Sequence, residues 1–564
     1  MHALLTLAAA LLMPALLAPP PALADGPRAL TVEQWRRDLR VLADTLVAVH
    51  RDAFHRLSRA AFERQVAALD RRIPRLSDHE VIVGLAEIAA AIGDGHTRLT
   101  LPEDPAVAFS RAHTPTPLPK RRELLFHHLP LRLYLYGDGL FVQQATAVAR
   151  EALGARVVRI GTMSAEEALE AMRPLIERDN EMGFKLLAPA RLAIPEVLHA
   201  RGVVADPSSV RVVLRGRDGR EFALDLAPLE PFAPATWIDA RDSAAAVPLW
   251  LRDPGRTFWV EYLPRDRAVY AQVNRIADDS LETLAQFSRR LARVVDGHAV
   301  ERVILDLRLN AGGDNALGRG LVLALARSRK ADRPGRLYAI VGRGTFSAAM
   351  TLASQLEQWT HTVFVGEPTG SSPSAFGDPR KVRLPHSGLT VRISTVYWRG
   401  WTTAEDRPWI APQLPAEPSS EDYRLGRDPA LEAALAFPAR DGLAGVLRET
   451  LRRGDIESAA IALDCFHNDP ASADESTEQL VNRLARELLQ QDRAAEAATV
   501  FWLNAHDYPR SAAAHAGRGE ALERAGETRQ ALESYRRALA LDPGNADLAR
   551  KVEALERRGE GLRE

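Results

Sequence analysis

The chain has 564 residues, room for roughly three to four domains at about 150 residues each. With 46% hydrophobic and 26% charged residues it has the composition of a globular protein able to bury a large core. A formal net charge of −1 argues against a general role on nucleic acids or membrane surfaces.

Residues 3–17 are apolar, Pro-rich sequence follows, and Ala22-Leu23-Ala24 precedes Asp25. This is the pattern of an export signal over 1–24 with an Ala-x-Ala cleavage site, so the mature chain is expected in the periplasm or secreted. No cysteine stands near that site to carry a lipid anchor, and no later apolar run is long enough to span a bilayer. The single cysteine, Cys465, allows no internal disulfide.

Residues 25–100 read as a helical region, opened by a capping pattern at Thr31-Val32-Glu33-Gln34. It ends at Gly93-Asp94-Gly95-His96-Thr97, which places His96 on a loop, where functional groups concentrate. By itself a loop histidine is more often a turn or surface residue. Residues 101–128 are Pro-rich and polar, a linker or wrapping loop. Residues 129–235 read as an α+β domain with strands at 131–136, 140–142, 156–160 and 210–214 and a helix over 165–177. Within it, Leu153 to Gly161 followed by Ser164-Ala165-Glu166-Glu167 resembles part of a PDZ-like module; a small insert that binds no peptide is the alternative.

Residues 236–438 read as an α/β core. Val303 to Leu309 is too continuously apolar for a one-sided strand and reads as one buried on both faces, as in a parallel sheet. It breaks at Asn310-Ala311-Gly312-Gly313, where glycines allow a sharp turn and free N–H donors. A helix over 317–326 and a strand over 337–341 complete a βαβ unit. The second strand runs into Gly342-Arg343-Gly344-Thr345-Phe346-Ser347, and a helix begins there. Ser347 thus stands at a strand-to-helix turn, a place that presents a nucleophile at a helix N-terminus; a plain helix N-cap is the other reading. Further strands are expected at 268–273, 362–366 and 389–397, the last with one exposed face, and a helix at 281–295. Asp306 reads as a buried structural acid, with Arg308 paired to it or to a neighbouring loop. Thr402 to Pro412 carries Glu405 and Asp406.

Residues 439–474 read as a linker with helical character, and 475–564 as repeats. Ala497, Phe501 and Pro509 recur 34 residues later as Ala531, Tyr535 and Pro543. Gly519, Gly526, Ala531, Tyr535, Ala538 and Pro543 hold the offsets of a tetratricopeptide repeat, which predicts stacked helix pairs and a surface for a protein partner, or else a stabilising appendage.

The run Val303 to Gly313, the Ser347 turn and Val363-Phe364-Val365-Gly366-Glu367-Pro368-Thr369-Gly370 together resemble the S41 peptidases, which include C-terminal processing peptidases and tricorn-type proteases. The resemblance covers residues 30–435 and implies an α/β fold with a crotonase-like (ClpP/crotonase) core, an N-terminal helical region and a PDZ-like insert. It implies Ser347 as nucleophile, with oxyanion donors from the backbone of Gly312 or Gly313 and of Ala348. Processing-type members activate the serine with a lysine about 25 residues on. Ser372 stands at that position here, and no lysine occurs between Ser347 and Lys381. Tricorn-type members use a histidine ahead of the core and a glutamate after it. Gly95-His96-Thr97 and Glu405-Asp406 resemble those segments, so the resemblance implies His96 as base and Glu405, with Asp406 as alternative, as the acid that orients it. A solvated surface acid is the bland reading of Glu405.

The chemistry needs such a set. A serine hydroxyl needs a positioned base, histidine titrates near neutrality, a carboxylate fixes its tautomer, and the oxyanion needs preorganised N–H donors. The resulting expectation is an exported serine endopeptidase acting on polypeptides, without metal or cofactor. A catalytically inactive peptide- or ligand-binding scaffold and a small-substrate esterase or amidase are the alternatives.

Overall fold

The computed structural model describes residues 28–103, 119, 121–400, 406–437, 442–467 and 477–560. The proposed export signal, most of the 101–128 linker and Glu405 lie outside the described residues.

The amino-terminal part consists of α1 (Val32–Val49), α2 (Arg59–Arg72) and α3 (Asp78–Ala90), followed by the short β1 (Arg98–Leu99). Thr31 and Ser77 begin α1 and α3 with reciprocal capping boxes to Gln34 and Glu80, satisfying donors the first helical turn leaves open. An α+β part follows: β2 (Leu131–Tyr136), β3 (Gly139–Thr146), β4 (Arg156–Ile160), β5 (Met163–Ser164), α4 (Ala165–Met172), α5 (Glu181–Arg191), α6 (Pro195–Ala200), β6 (Val210–Arg215), β7 (Glu221–Leu226) and β8 (Trp237–Asp239). Its strands run in the order β2-β3-β4-β6-β7, with β5 on β4 and β8 on β3, all antiparallel. The helix expected over 165–177 is shorter: α4 stops at Met172 and Pro174 sits in a 3-10 turn over Arg173–Leu175.

The third part holds α7 (Leu249–Arg252), β9 (Phe258–Leu263), β10 (Ala268–Val273), α8 (Leu284–Gly297), β11 (Arg302–Asp306), α9 (Asn315–Ala326), β12 (Leu337–Val341), α10 (Ala348–Trp359), β13 (Val363–Gly366), β14 (Ala375–Arg383), β15 (Thr390–Trp398), β16 (Leu414–Pro415), α11 (Ser420–Arg424) and α12 (Pro429–Ala436). One sheet has the order β16-β13-β12-β11-β10-β9, parallel except for the β9–β10 pair. Alternation divides its apolar side chains between two clusters. Val303, Leu305, Leu337, Ala339 and Val341 pack toward α8, α9 and α10, while Ile304, Tyr338 and Ile340 pack toward α12. Burial on both faces is why β11 and β12 read as unbroken apolar runs. β11 is shorter than the run suggested. It ends at Asp306, because Asn310 N–H donates to Leu307 O (3.0 Å) in a turn and Arg308 swings back to pair with Asp306 and Asp428.

A separate sheet, β1-β15-β14, brings the segment after α3 onto this third part. β15 is buried on both faces over its first half and exposed only toward Trp398, which corrects the expectation of one exposed face throughout. Val391 and Ile393 join the cluster shared by α1, α3 and the α+β part, so these pieces pack as one core. The carboxyl end consists of α13 (Gly442–Arg452), α14 (Ile456–His467), α15 (Thr477–Gln490), α16 (Ala494–Asp507), α17 (Ala512–Arg524), α18 (Thr528–Leu541) and α19 (Ala546–Glu560), each packed on the next where described. No described helix is long and apolar enough to cross a membrane.

Candidate active site

Two turns at the carboxyl ends of parallel strands build the site from one side. The first follows β11. Asn310 is fully buried; its Nδ2 donates to Val273 O (2.9 Å), its Oδ1 accepts the Gly312 N–H (2.9 Å), and its carbonyl accepts the Phe346 N–H (3.0 Å). Gly312 and Gly313 have φ of +108° and +147°. A Cβ on Gly312 would stand 2.7 Å from Ser347 Cβ, and one on Gly313 would stand 2.0 Å from Ile276 O, so both positions need glycine. The Gly312 N–H is thus already donated. Among the described residues no hydrogen bond uses the N–H of Gly313 or of Ala348.

The second turn follows β12. Thr345, fully buried, donates from Oγ1 to Leu307 O (2.9 Å) and so ties this turn to the end of β11. Ser347 stands at the N-cap position of α10 with φ 56° and ψ −124°, and its side chain makes no cap hydrogen bond. A non-glycine residue at positive φ costs on the order of 1–3 kcal/mol, which the surrounding bonds must hold. Its carbonyl accepts the N–H groups of Met350 (2.8 Å) and Thr351 (3.2 Å).

The opposite side is the loop after α3. His96 Nε2 lies 3.0 Å from Ser347 Oγ, 251 residues away in sequence. The Phe346 ring stacks on the imidazole at 4.5 Å between centroids. Two carboxylates hold the loop backbone. Asp94 Oδ1 accepts the N–H groups of His96 and Thr97 (2.8 Å each) and the Ser394 hydroxyl (2.8 Å), while Oδ2 pairs with His50 Nε2 (2.9 Å). Burial opposes a charge on Asp94, but the hydrogen bonds from His50, Thr97 and Ser394 outweigh it and hold the carboxyl well below the usual carboxylate range. Asp179, from the α+β part, accepts the Gly95 N–H at 2.7 Å.

Ser347, His96, Gly312, Gly313 and Ala348 are thus gathered at one place. Glu405 lies outside the described residues, and Asp406 is exposed. Pro408 is tied in close by: its carbonyl accepts from Asn180 Nδ2 (2.6 Å) and Ser372 Oγ (2.8 Å). A cavity of about 560 Å³ opens behind the two turns, lined by Tyr134, Trp250, Ala311 and Gly344. A second cleft of about 690 Å³ lies beside the His96 loop, lined by Arg51, His55, Arg56, Ser372 and Phe376.

Sequence reasoning did not assign Asp94, Asn310, His50 or Asp179. The first two had a local signal, since Asp two residues before His96 and Asn two before Gly312 are Asx-turn spacings. His50 and Asp179 act across the fold and left no such mark.

No family model and no curated protein matches the chain. Among solved structures, the chain is similar to mature CPAF complexed with lactacystin, at 12% identity over 70% of this chain and 96% of that one, with a TM-score of 0.47. It is similar to the photosystem II D1 C-terminal processing protease at 16% identity, over 72% of this chain and 99% of that one (TM-score 0.34). The tricorn protease is similar at 14% identity over 72% of this chain and 36% of its own (TM-score 0.35).

Proposed function

We propose that the chain is an exported serine peptidase of the S41 type that hydrolyses peptide bonds of polypeptides. The observation that carries this reading is the 3.0 Å approach of His96 Nε2 to Ser347 Oγ, with the serine held off-cap on a positive-φ turn. In this reading His96 takes the hydroxyl proton as Ser347 Oγ attacks the scissile carbonyl carbon. The N–H groups of Gly313 and Ala348 receive the oxyanion, and Gly312 serves by letting the turn approach the serine. His96 then gives its proton to the leaving amine, and water repeats the cycle on the acyl-enzyme. Glu405, with Asp406 as the alternative, orients the imidazole. The core is read as crotonase-like, residues 129–235 as PDZ-like, and 475–564 as tetratricopeptide-like repeats that offer a surface to a protein partner. Export through residues 1–24 to the periplasm or beyond belongs to the same proposal.

The test is incubation with unfolded casein and mass spectrometry of the products. Internal fragments are expected from the parent and none from Ser347→Ala. Hydrolysis of p-nitrophenyl esters with casein left intact would replace the peptidase reading by the esterase one.

A further inference from the structure

The Ser347–His96 contact joins two loops from distant parts of the chain, and nothing covalent fixes its length. A chain of hydrogen bonds does. From His96 the backbone leads to Gly95, whose N–H donates to Asp179 Oδ1 (2.7 Å). The other oxygen, Asp179 Oδ2, accepts the Ser371 hydroxyl at 2.6 Å. One residue back, the Gly370 N–H donates to Thr345 O at 3.0 Å. Thr345 leads through Phe346 to Ser347, whose Oγ faces His96 Nε2 and closes the ring. Asp179 is the member that joins the His96 loop to the loop after β13, and it is only 6% exposed.

Asp179 is itself fixed from both sides. Arg56 Nη2 donates to its carbonyl (2.9 Å). Next in sequence, Asn180 caps α5 by accepting the Met182 N–H (2.9 Å), and its Nδ2 donates to Thr369 O (3.1 Å) and Pro408 O (2.6 Å). The dipeptide thus ties the His96 loop, the loop after β13 and the segment entering from residue 406. There is no room for slack at Gly95: a Cβ there would meet the Phe346 ring at 2.7 Å and Asp179 Oδ1 at 3.1 Å.

Resting on the peptidase reading, we infer that Asp179 is a positioning residue for the base: by holding Gly95 and Ser371 at once it sets the reach of His96 onto Ser347. It touches no reacting atom. A displacement of about 1 Å between nucleophile and base can cost on the order of 100-fold in rate, so loosening this ring is expected to lower kcat and leave KM nearly alone.

The experiment compares the full-length parent, Asp179→Ala, Asp179→Asn and Ser371→Ala. Asparagine can accept the Gly95 N–H through Oδ1 and donate to the Ser371 oxygen through Nδ2, so it can close the ring without the charge. Asp179→Ala is expected to lose about 10- to 100-fold in kcat with KM within about two-fold, Ser371→Ala to lose less, and Asp179→Asn to recover most of the loss. Hydrogen–deuterium exchange over residues 93–98 should quicken in Asp179→Ala and return to the parent rate in Asp179→Asn. Unchanged exchange over 93–98 in Asp179→Ala would overturn the inference whatever the activity. So would an asparagine variant as impaired as the alanine one, since charge and not the ring would then be at work. If the parent itself hydrolyses nothing, the peptidase reading fails, and exchange alone decides whether Asp179 holds the loop.

Discussion

Ser347 stands at the N-cap position of α10, where a serine side chain ordinarily caps, yet its hydroxyl faces His96 and the backbone takes a positive φ. Asn310 holds that geometry from the other side, with both ends of its amide used. Asn310→Ala removes two buried hydrogen bonds and strands the Gly312 N–H and Val273 O. The loss is expected to be about 2–4 kcal/mol in denaturant unfolding, at roughly 1–2 kcal/mol per bond, with kcat falling more than KM rises. Asp94 sets a pH expectation. Its carboxyl titrates lower in the fold than in the unfolded chain, so its contribution to stability is present above the ordinary carboxylate range near about 3.9 and is lost as pH falls through the lower folded value. In Asp94→Asn, acid unfolding followed by circular dichroism should lose this part of its pH dependence. The residue types of the site were legible because a nucleophile at a strand-to-helix turn, a Gly-Gly turn and a loop histidine each carry a local mark. The ring through Asp179 was not, because its members lie far apart in sequence and are ordinary polar residues singly.

At the scale of elements, the two turns work as a pair: Thr345 reaches Leu307 O, Phe346 N–H reaches Asn310 O, and Gly312 lies against Ser347. Gly312→Ala puts a Cβ 2.7 Å from Ser347 Cβ at a φ of +108°, so it should both strain the turn and push the serine. A rate loss of about 100-fold or more is expected, with a lower melting temperature; parent-like kcat would refute the packing described. The βαβ unit was readable because burial on both faces leaves an unbroken apolar run, as in Leu337–Val341. Its ends were less so. Leu307 and Leu309 continue the apolar pattern after Asp306, but the hydrogen bond from Asn310 N–H to Leu307 O turns the chain there. β14 went unread because Gly377, Asp378 and Pro379 interrupt it, and pairing with β15 makes it a strand.

Across the whole molecule, the sequence divides into helical, α+β, α/β and repeat stretches more sharply than packing does. Leu39, Leu85, Val142, Val212 and Val391 share one buried cluster, so the His96 loop is delivered by a body already fused to β15. The helices after Phe437 are joined as well: Val446 packs with Tyr338 and Ala434, and the Arg453 guanidinium reaches Gln413 O. The last helices, α17 to α19, share a cluster around Tyr535 and Leu555, and they are joined to the helices before them through Ala498 of α16 and through Ala521 of α17, which packs with Val500 and Phe501. A chain ended after Arg510 bares Phe501 and Ala498 and should melt lower, yet keep the parent rate within about two-fold, because none of the residues named at the site lies on α17 to α19. One ended after Phe437 bares the surface under Val446 and should melt several degrees lower. The most direct test of the central claim, that Ser347 is a nucleophile activated by His96, is labelling with a fluorophosphonate serine probe. The parent should label, and Ser347→Ala and His96→Ala should not, the latter slower by a factor on the order of 10⁴ or more. Labelling of His96→Ala at the parent rate would contradict the account.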